Sequence, residues 1–268
     1  MLARQRQSVI LRTVRSDGSA RVSDLTQKLG VSDMTIRRDL EVLARTGLIE
    51  KVHGGAVLPG VPSSHEPGFE AKSVRELPEK AMIAKAAARL VMPGAAVALS
   101  AGTTTYALAE QLFSVPGLTV VTNSMRVASL LRAAPADGPD GHGSGPASVV
   151  LTGGVRTPSE ALVGPIADLA IRSLHFDLLF LGCHGIDPSA GLTTPNLAES
   201  ETNRAFVRSA RRVIVVADHT KWGIVGLSSF ADLDEVDTLV TDEQFPPEAR
   251  SQVADRVGQL IIADATIG

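Results

Sequence analysis

The stretch Val31-Ser32-Asp33-Met34-Thr35-Ile36-Arg37-Arg38-Asp39-Leu40 decides the fold of the first part of the chain. Continued to Leu43, it spaces Ile36, Leu40 and Leu43 by four and then three, which predicts a helix with those side chains against a core. At roughly 100° per residue, Met34, Arg37, Arg38 and Glu41 then fall on the outer face, with Thr35 at its edge. Ser32 stands where an N-cap belongs, and Asp33 suits the positive end of a helix dipole. Taken alone, such a face reads as an ordinary solvated surface. Its neighbours in the sequence point elsewhere.

Toward the N-terminus, Ile10, Leu11 and Val14, then Leu25 and Leu29, keep helical spacing. Three short helices are therefore expected between Leu2 and Leu48, with Ser23 capping the second and Gly30 turning the chain into the third. After Gly47 the segment Leu48-Ile49-Glu50-Lys51-Val52-His53-Gly54-Gly55-Ala56-Val57 predicts two short strands around a glycine turn, a wing. A capped helix-turn-helix followed by a hairpin can lay a helix in the major groove of DNA, where arginine pairs with guanine and threonine meets a base edge or phosphate. The candidate DNA-binding residues are Ser32, Met34, Thr35, Arg37, Arg38, Lys51 and His53, although His53 suits bracing the wing equally well. Charge supports the reading. Residues 1–60 hold ten Lys/Arg against six Asp/Glu, a net of +4, in a chain whose total is −3. A basic head on an acidic body fits a nucleic-acid module tied to another domain.

Residues 59–67 are rich in Pro, Ser and Gly and read as a linker, so a head of residues 1–57, a connection of 58–70 and a body of 71–268 are expected. In the body, a helix from Pro78 to about Met92 precedes apolar strands at Ala95–Ser100, Leu118–Thr122, Ser148–Thr152, Asp177–Gly182, Arg212–Ala217, Thr238–Thr241 and Leu260–Ala263. Helical patterns at Thr104–Phe113, Met125–Ala133, Pro165–Leu174, Leu197–Ser209 and Pro247–Val257 alternate with them. That alternation, with continuous Val/Ile/Leu strands, predicts an α/β domain on a mostly parallel sheet. Residues 134–147 form a Gly/Pro-rich low-complexity stretch to which no function is assigned.

The reading helix with its flanks, Val31 to Leu40, Gly47-Leu48 and Val52-His53-Gly54-Gly55-Ala56, resembles the DNA-binding signature of the DeoR family of sugar-metabolism repressors, and the likeness continues through most of the chain. It implies a winged helix-turn-helix acting on double-stranded operator DNA. It also implies a C-terminal domain related in fold to ribose-5-phosphate isomerase that senses a phosphorylated sugar.

Within that domain Ser100-Ala101-Gly102-Thr103-Thr104-Thr105 lies between a strand and a helix, where backbone N–H groups, hydroxyls and a helix N-terminus favour a phosphate. Further polar turns follow other strand ends, at Thr122-Asn123-Ser124, Gly153-Gly154, Gly182-Cys183-His184-Gly185 and Asp218-His219-Thr220-Lys221. In a parallel sheet these can converge on one crevice. By the resemblance, Ser100, Gly102, Thr103, Thr104 and Thr105 hold the phosphate, Asn123 lies nearby and Lys221 counters the charge. Glu199 faces the sugar hydroxyls, and Gly182 and His184 complete the site. A solvated lysine and a helix-terminal glutamate are the plainer readings of Lys221 and Glu199. Asn203 stands where the resemblance puts a lysine.

Two other functions compete. An active isomerase needs a carboxylate as general base. Leu181-Gly182-Cys183-His184 stands where the isomerase resemblance puts Asp-Gly-Ala-Asp, which leaves only His184 as a substitute. A dimerisation platform with an empty crevice has no use for hydroxyls and a lysine at successive strand ends. No catalytic residue, metal site or cofactor is expected; Cys183 is the single cysteine and can build neither an internal disulfide nor a Cys-rich metal site. The chain lacks both an apolar leader and an uncharged apolar run of about 18 residues, which predicts a cytoplasmic protein without a membrane partner. A homo-oligomer is expected, because one small head makes few phosphate contacts.

Overall fold

A computed structural model gives the structure of residues 2–17, 19–52, 54–57, 64, 66, 68–133 and 148–264. They form two compact units that divide between His65 and Glu66.

The first unit runs α1 (Ala3–Asp17), β1 (Ser19–Arg21), α2 (Val22–Leu29), α3 (Asp33–Arg45), β2 (Glu50–Val52) and β3 (Gly55–Val57). Ile10 and Val14 of α1, Leu25 of α2 and Ile36, Leu40 and Leu43 of α3 bury together with Ile49 and Ala56, as their spacing predicts. Gly30 ends α2 in the left-handed conformation, φ 63°, which a side chain would strain, and its N–H donates to the Thr26 carbonyl. The expected hairpin β2–β3 is joined by β1, which pairs antiparallel with β3. Gly55 is required at that junction, because a Cβ there would meet the Ala20 carbonyl oxygen at 2.4 Å. A three-residue strand of Ser, Ala and Arg has too short a pattern to announce itself. Ser23 does not cap α2. The helix begins two residues earlier than a cap at Ser23 predicts, at Val22 with Arg21 at the N-cap.

The second unit begins with α4 (Phe69–Ser73) and α5 (Leu77–Ala88), the latter ending four residues before the expected Met92 and led in by Glu76 at φ 49°. Then follow β4 (Ala96–Leu99), α6 (Thr103–Gln111), β5 (Thr119–Thr122), α7 (Met125–Arg132), β6 (Ser148–Leu151), β7 (Val155–Arg156), β8 (Leu162–Val163), α8 (Pro165–Arg172) and β9 (Leu178–Leu181). The remainder is β10 (Gly185–Asp187), β11 (Gly191–Thr194), α9 (Leu197–Ser209), β12 (Val213–Val216), β13 (Ser228–Ala231), β14 (Thr238–Asp242), α10 (Pro247–Ala254) and β15 (Gln259–Ala263).

Seven strands form one parallel sheet in the order β15-β14-β12-β9-β4-β5-β6. Its two faces each carry an apolar layer. Phe176, Leu179, Leu181, Phe206 and Val215 belong to one, and Ile83, Leu99, Leu108, Phe180 and Ile214 to the other. From β4 the chain steps outward to β5 and β6, whereas from β9 it steps the opposite way to β12, β14 and β15. The carboxyl ends of β4 and β9 therefore flank the point where strand order reverses, and a crevice opens there. Two small antiparallel sheets, β10-β11-β13 and β7-β8, are additions that the sequence reading missed.

Candidate functional sites

On α3, Met34 is 76% exposed, and Arg37 and Arg38 are exposed beside it. Ser32 occupies the N-cap position, but its hydroxyl bonds the Thr35 hydroxyl at 2.9 Å rather than a backbone N–H. The two arginines differ. Arg37 is held by Asp33 through Nε and through Nη2 at 3.3 Å, whereas Arg38 has no hydrogen bond or ion pair among the described residues. Lys51 is exposed on β2. His53 lies outside the described residues.

Asp39 was missed by the sequence reading. It is 4% exposed and accepts from Arg6 Nε at 2.5 Å and Gln7 Nε2 at 2.9 Å, a polar clamp between α3 and α1. Its signal was present, since position 39 falls on the buried stripe of Ile36, Leu40 and Leu43, where a carboxylate persists only if paired.

In the second unit, one cavity opens at the reversal point. Gly102, Thr103 and Thr104 follow β4, Asn123 follows β5, and Gly182 and His184 follow β9. Glu199 comes from α9 and Lys221 from the turn after β12. Val216, Ala217 and Phe230 give it an apolar wall. Ser100 and Thr105 are buried and do not line it. The Ser100 hydroxyl accepts the Gly182 N–H at 3.0 Å, tying β4 to β9, and the Thr105 hydroxyl donates to the Gly102 carbonyl at 3.1 Å. Both therefore shape the loop from behind. Asn123, which does line the cavity, also braces the loop, accepting from Ala101 N–H at 2.9 Å while its amide donates to the Leu162 carbonyl at 3.1 Å.

What remains toward the cavity is suited to an anion. The first turn of α6 leaves N–H groups without intrahelical partners. The hydroxyls of Thr103 and Thr104 hydrogen-bond nothing among the described residues. Lys221 Nζ lies 3.8 Å from Asp218 Oδ2. Burial opposes the charge of Asp218, yet Lys221, the Thr220 hydroxyl and Lys80 outweigh it and hold the carboxyl below its ordinary pKa.

Glu199 also lines the cavity; its Oε1 accepts from the hydroxyls of Thr157, at 2.9 Å, and Ser159, and Oε2 accepts from Thr194 at 3.1 Å. Burial raises its pKa, and the neighbouring Glu66 adds to the rise. Glu66 and Lys72, which the sequence reading left unassigned, also line the cavity. Burial works against the Glu66 carboxylate, but hydrogen bonds from Asn196 Nδ2 at 2.7 Å and Ser159 N–H at 3.1 Å prevail and lower its pKa. Neither Glu66 nor Lys72 follows a strand of the parallel sheet, so position at a strand end does not reveal them. Among the described residues no cluster of three or more His, Cys, Asp or Glu could hold a metal ion, and no helix is long and apolar enough to cross a membrane.

A family model described as the DeoR C terminal sensor domain matches residues 75–243, and one described as the DeoR-like helix-turn-helix domain matches residues 6–60. The chain is 37% identical to the HTH-type transcriptional regulator GlpR of Haloferax volcanii, over 94% of this chain and 95% of that one. It is 30% identical to a glycerol-3-phosphate regulon repressor of Escherichia coli K12, over 96% and 97%. Among solved structures, ribose 5 phosphate isomerase A from Neisseria gonorrhoeae aligns over 55% of this chain and 54% of that one, at 13% identity and a TM-score of 0.35. That likeness is too distant to bear on function.

Proposed function

The chain belongs to the DeoR family of helix-turn-helix transcriptional regulators, and on that premise we propose that it is a cytoplasmic repressor of sugar-metabolism genes, released from its operator by a phosphorylated sugar. Residues 1–57 read DNA, 58–70 join, and 71–268 sense. The observation that carries the effector reading is the convergence, in one cavity, of the α6 N-terminus, the hydroxyls of Thr103 and Thr104, and Lys221, opposite a carboxylate suited to sugar hydroxyls. A phosphate gains charge-assisted hydrogen bonds from the first set, and Glu199 selects for a polyol. A relative that represses a glycerol-3-phosphate regulon agrees with a small phosphate ester as signal. The family is one of regulators, not enzymes, so the isomerase reading is set aside.

The test is anisotropy of labelled operator, selected from random DNA, titrated with glycerol 3-phosphate, ribose 5-phosphate, fructose 1-phosphate and glucose 6-phosphate. Lys221→Ala should raise the concentration for half-release by about tenfold or more, since a hydrogen bond to a charged group contributes about 1.5–3 kcal/mol. Thr104→Val should raise it by about fivefold, the loss of one neutral donor at about 1 kcal/mol. Release of both variants at the wild-type concentration would refute the phosphate site.

A further inference from the structure

We infer that the segment leading out of the head is itself part of the effector site, with Lys72 and Glu66 as direct contacts for the sugar portion of a phosphorylated polyol. This rests on the reading of the cavity as the effector site. It adds a second cation and a second carboxylate that the strand-end turns do not supply.

Both side chains line the cavity that contains Gly102, Thr103, Thr104 and Lys221. Lys72 is partly buried, yet its ammonium makes no hydrogen bond or ion pair among the described residues. A desolvated ammonium in that state is costly unless something else supplies an oxygen. Burial lowers its pKa, Glu199 and Glu66 act the other way, and Lys221 adds to the drop. Two lysines and two carboxylates therefore share one electrostatic neighbourhood. The carboxylates are already served by hydroxyl, amide and backbone donors, whereas Lys72 is not. A ligand with phosphate at the Lys221 end and oxygen functions along its chain satisfies Lys72 and meets Glu199 and Glu66 with its hydroxyls. Asn203, which also lines the cavity, carries no charge, so the second cation comes from Lys72.

The placement has a consequence for regulation. Glu66 and Glu199 are held by the same two neighbours: Ser159 donates its backbone N–H to Glu66 and its hydroxyl to Glu199, and Asn196 donates its side-chain amide to Glu66 while its Oδ1 accepts the Glu199 backbone N–H. A hydroxyl that engages Glu199 displaces the Ser159 hydroxyl and so acts on a residue that also holds Glu66. The connecting segment is otherwise anchored by Phe69, whose N–H donates to the Pro158 carbonyl at 3.2 Å, and by Lys80 Nζ on the Lys72 carbonyl at 2.7 Å. In sequence Glu66 follows the end of β3 by nine residues. Ligand contact is therefore delivered to the chain that leads to the head, with no relay through the sheet. A ligand shifts an equilibrium only through differential affinity, and contacts that exist only while this segment is seated provide it.

The experiment uses the full chain and whichever of the four sugar phosphates named above binds the wild type most tightly by calorimetry. Lys72→Gln should weaken binding at least tenfold and Lys72→Arg by less than threefold, because the arginine restores the cation. Glu66→Gln should change the probe concentration for operator release at least fivefold. In the unsubstituted protein, the probe should slow amide exchange across residues 66–75 at least threefold, a measurement independent of how any variant folds. Wild-type affinity in Lys72→Gln, or unchanged exchange across 66–75 under saturating probe, would overturn the inference while leaving the cavity reading intact, provided Lys221→Ala still loses binding. If Lys221→Ala also binds as wild type, or no probe binds at all, the cavity reading fails and this inference falls with it.

Discussion

Arg37 and Arg38 share an exposed helical face, but their side chains are in different states. Arg37 is spent on Asp33 one turn away, so it must exchange that partner for a base or phosphate, whereas Arg38 has no such partner among the described residues. Replacing Arg38 with Ala should therefore cost about 1–3 kcal/mol of operator affinity and relax preference at one base position, and Arg37→Ala should cost less. Fluorescence titrations against single-base operator variants check the ranking, and an equal loss for both variants contradicts it. Lys80 makes a second case for reading residues by their partners. Its Nζ donates to the carbonyls of Lys72 and Arg75 at 2.7 and 2.5 Å, and burial lowers its pKa from 10.5 to about 8, against the opposing pull of Asp218. Between about 8 and 10.5 the unfolded chain binds a proton that the folded chain does not, so stability rises with pH across that window. Below it, the buried charge is a standing cost. Relative to Lys80→Met, the wild type should gain up to about 3 kcal/mol over this range, as measured by denaturant unfolding at each pH. A difference that stays flat with pH would show that the ammonium is not desolvated.

Elements were legible where a pattern was long enough to carry a period. The seven parallel strands are mostly runs of Val, Ile, Leu and Ala, and α3 repeats its apolar residues through two turns, so both emerged from the sequence pattern alone. β10, β11 and β13 did not, because Gly185–Asp187, Gly191–Thr194 and Ser228–Ala231 are short and carry turn-type residues whose strand state is imposed by pairing. The cavity was legible in part for the same reason. Loops at strand ends converge by topology, which located Gly102, Thr104, Asn123 and Lys221, while the inward or backward aim of Ser100 and Thr105 depends on hydrogen bonds that no spacing reveals. Glu66 and Lys72 arrive through tertiary packing of a segment that composition marks as a connection. The Asp39 clamp belongs to this scale, since it sets one helix against another. Asp39→Ala removes the buried carboxylate that Arg6 and Gln7 both bond near the core of the head, and breaking such a buried pair costs about 3–5 kcal/mol. Thermal melting of the full chain should show an early transition assigned to the head, together with weakened operator binding. A variant that melts and binds like the wild type would remove the clamp from this account.

At the scale of the whole molecule the division of charge matters more than its total. The first 60 residues carry +4 and the remainder −7, so only the head attracts DNA, and one head has few cations to offer. Each phosphate neutralised by a lysine or arginine contributes to a salt-dependent affinity with a slope of about −0.9 per contact. An isolated winged module with this charge has little hold at physiological salt. Joining two heads in one assembly changes the arithmetic, because the second contact becomes intramolecular and avidity can rise by about 10²–10⁴ without any new interaction. A homo-oligomer of at least two chains is therefore expected, reading half-sites about one helical turn or a multiple of it apart. Sedimentation at micromolar concentration should give a dimer or larger, and affinity for a two-half-site operator should exceed that for a single half-site by at least about a hundredfold. The salt slope should roughly double between the half-site and the full site, since twice as many phosphates are engaged. A monomer both free and on operator, with equal affinity and equal slope for the two DNAs, would mean that one head suffices and that its affinity comes from contacts beyond Arg38, Lys51 and their neighbours on α3.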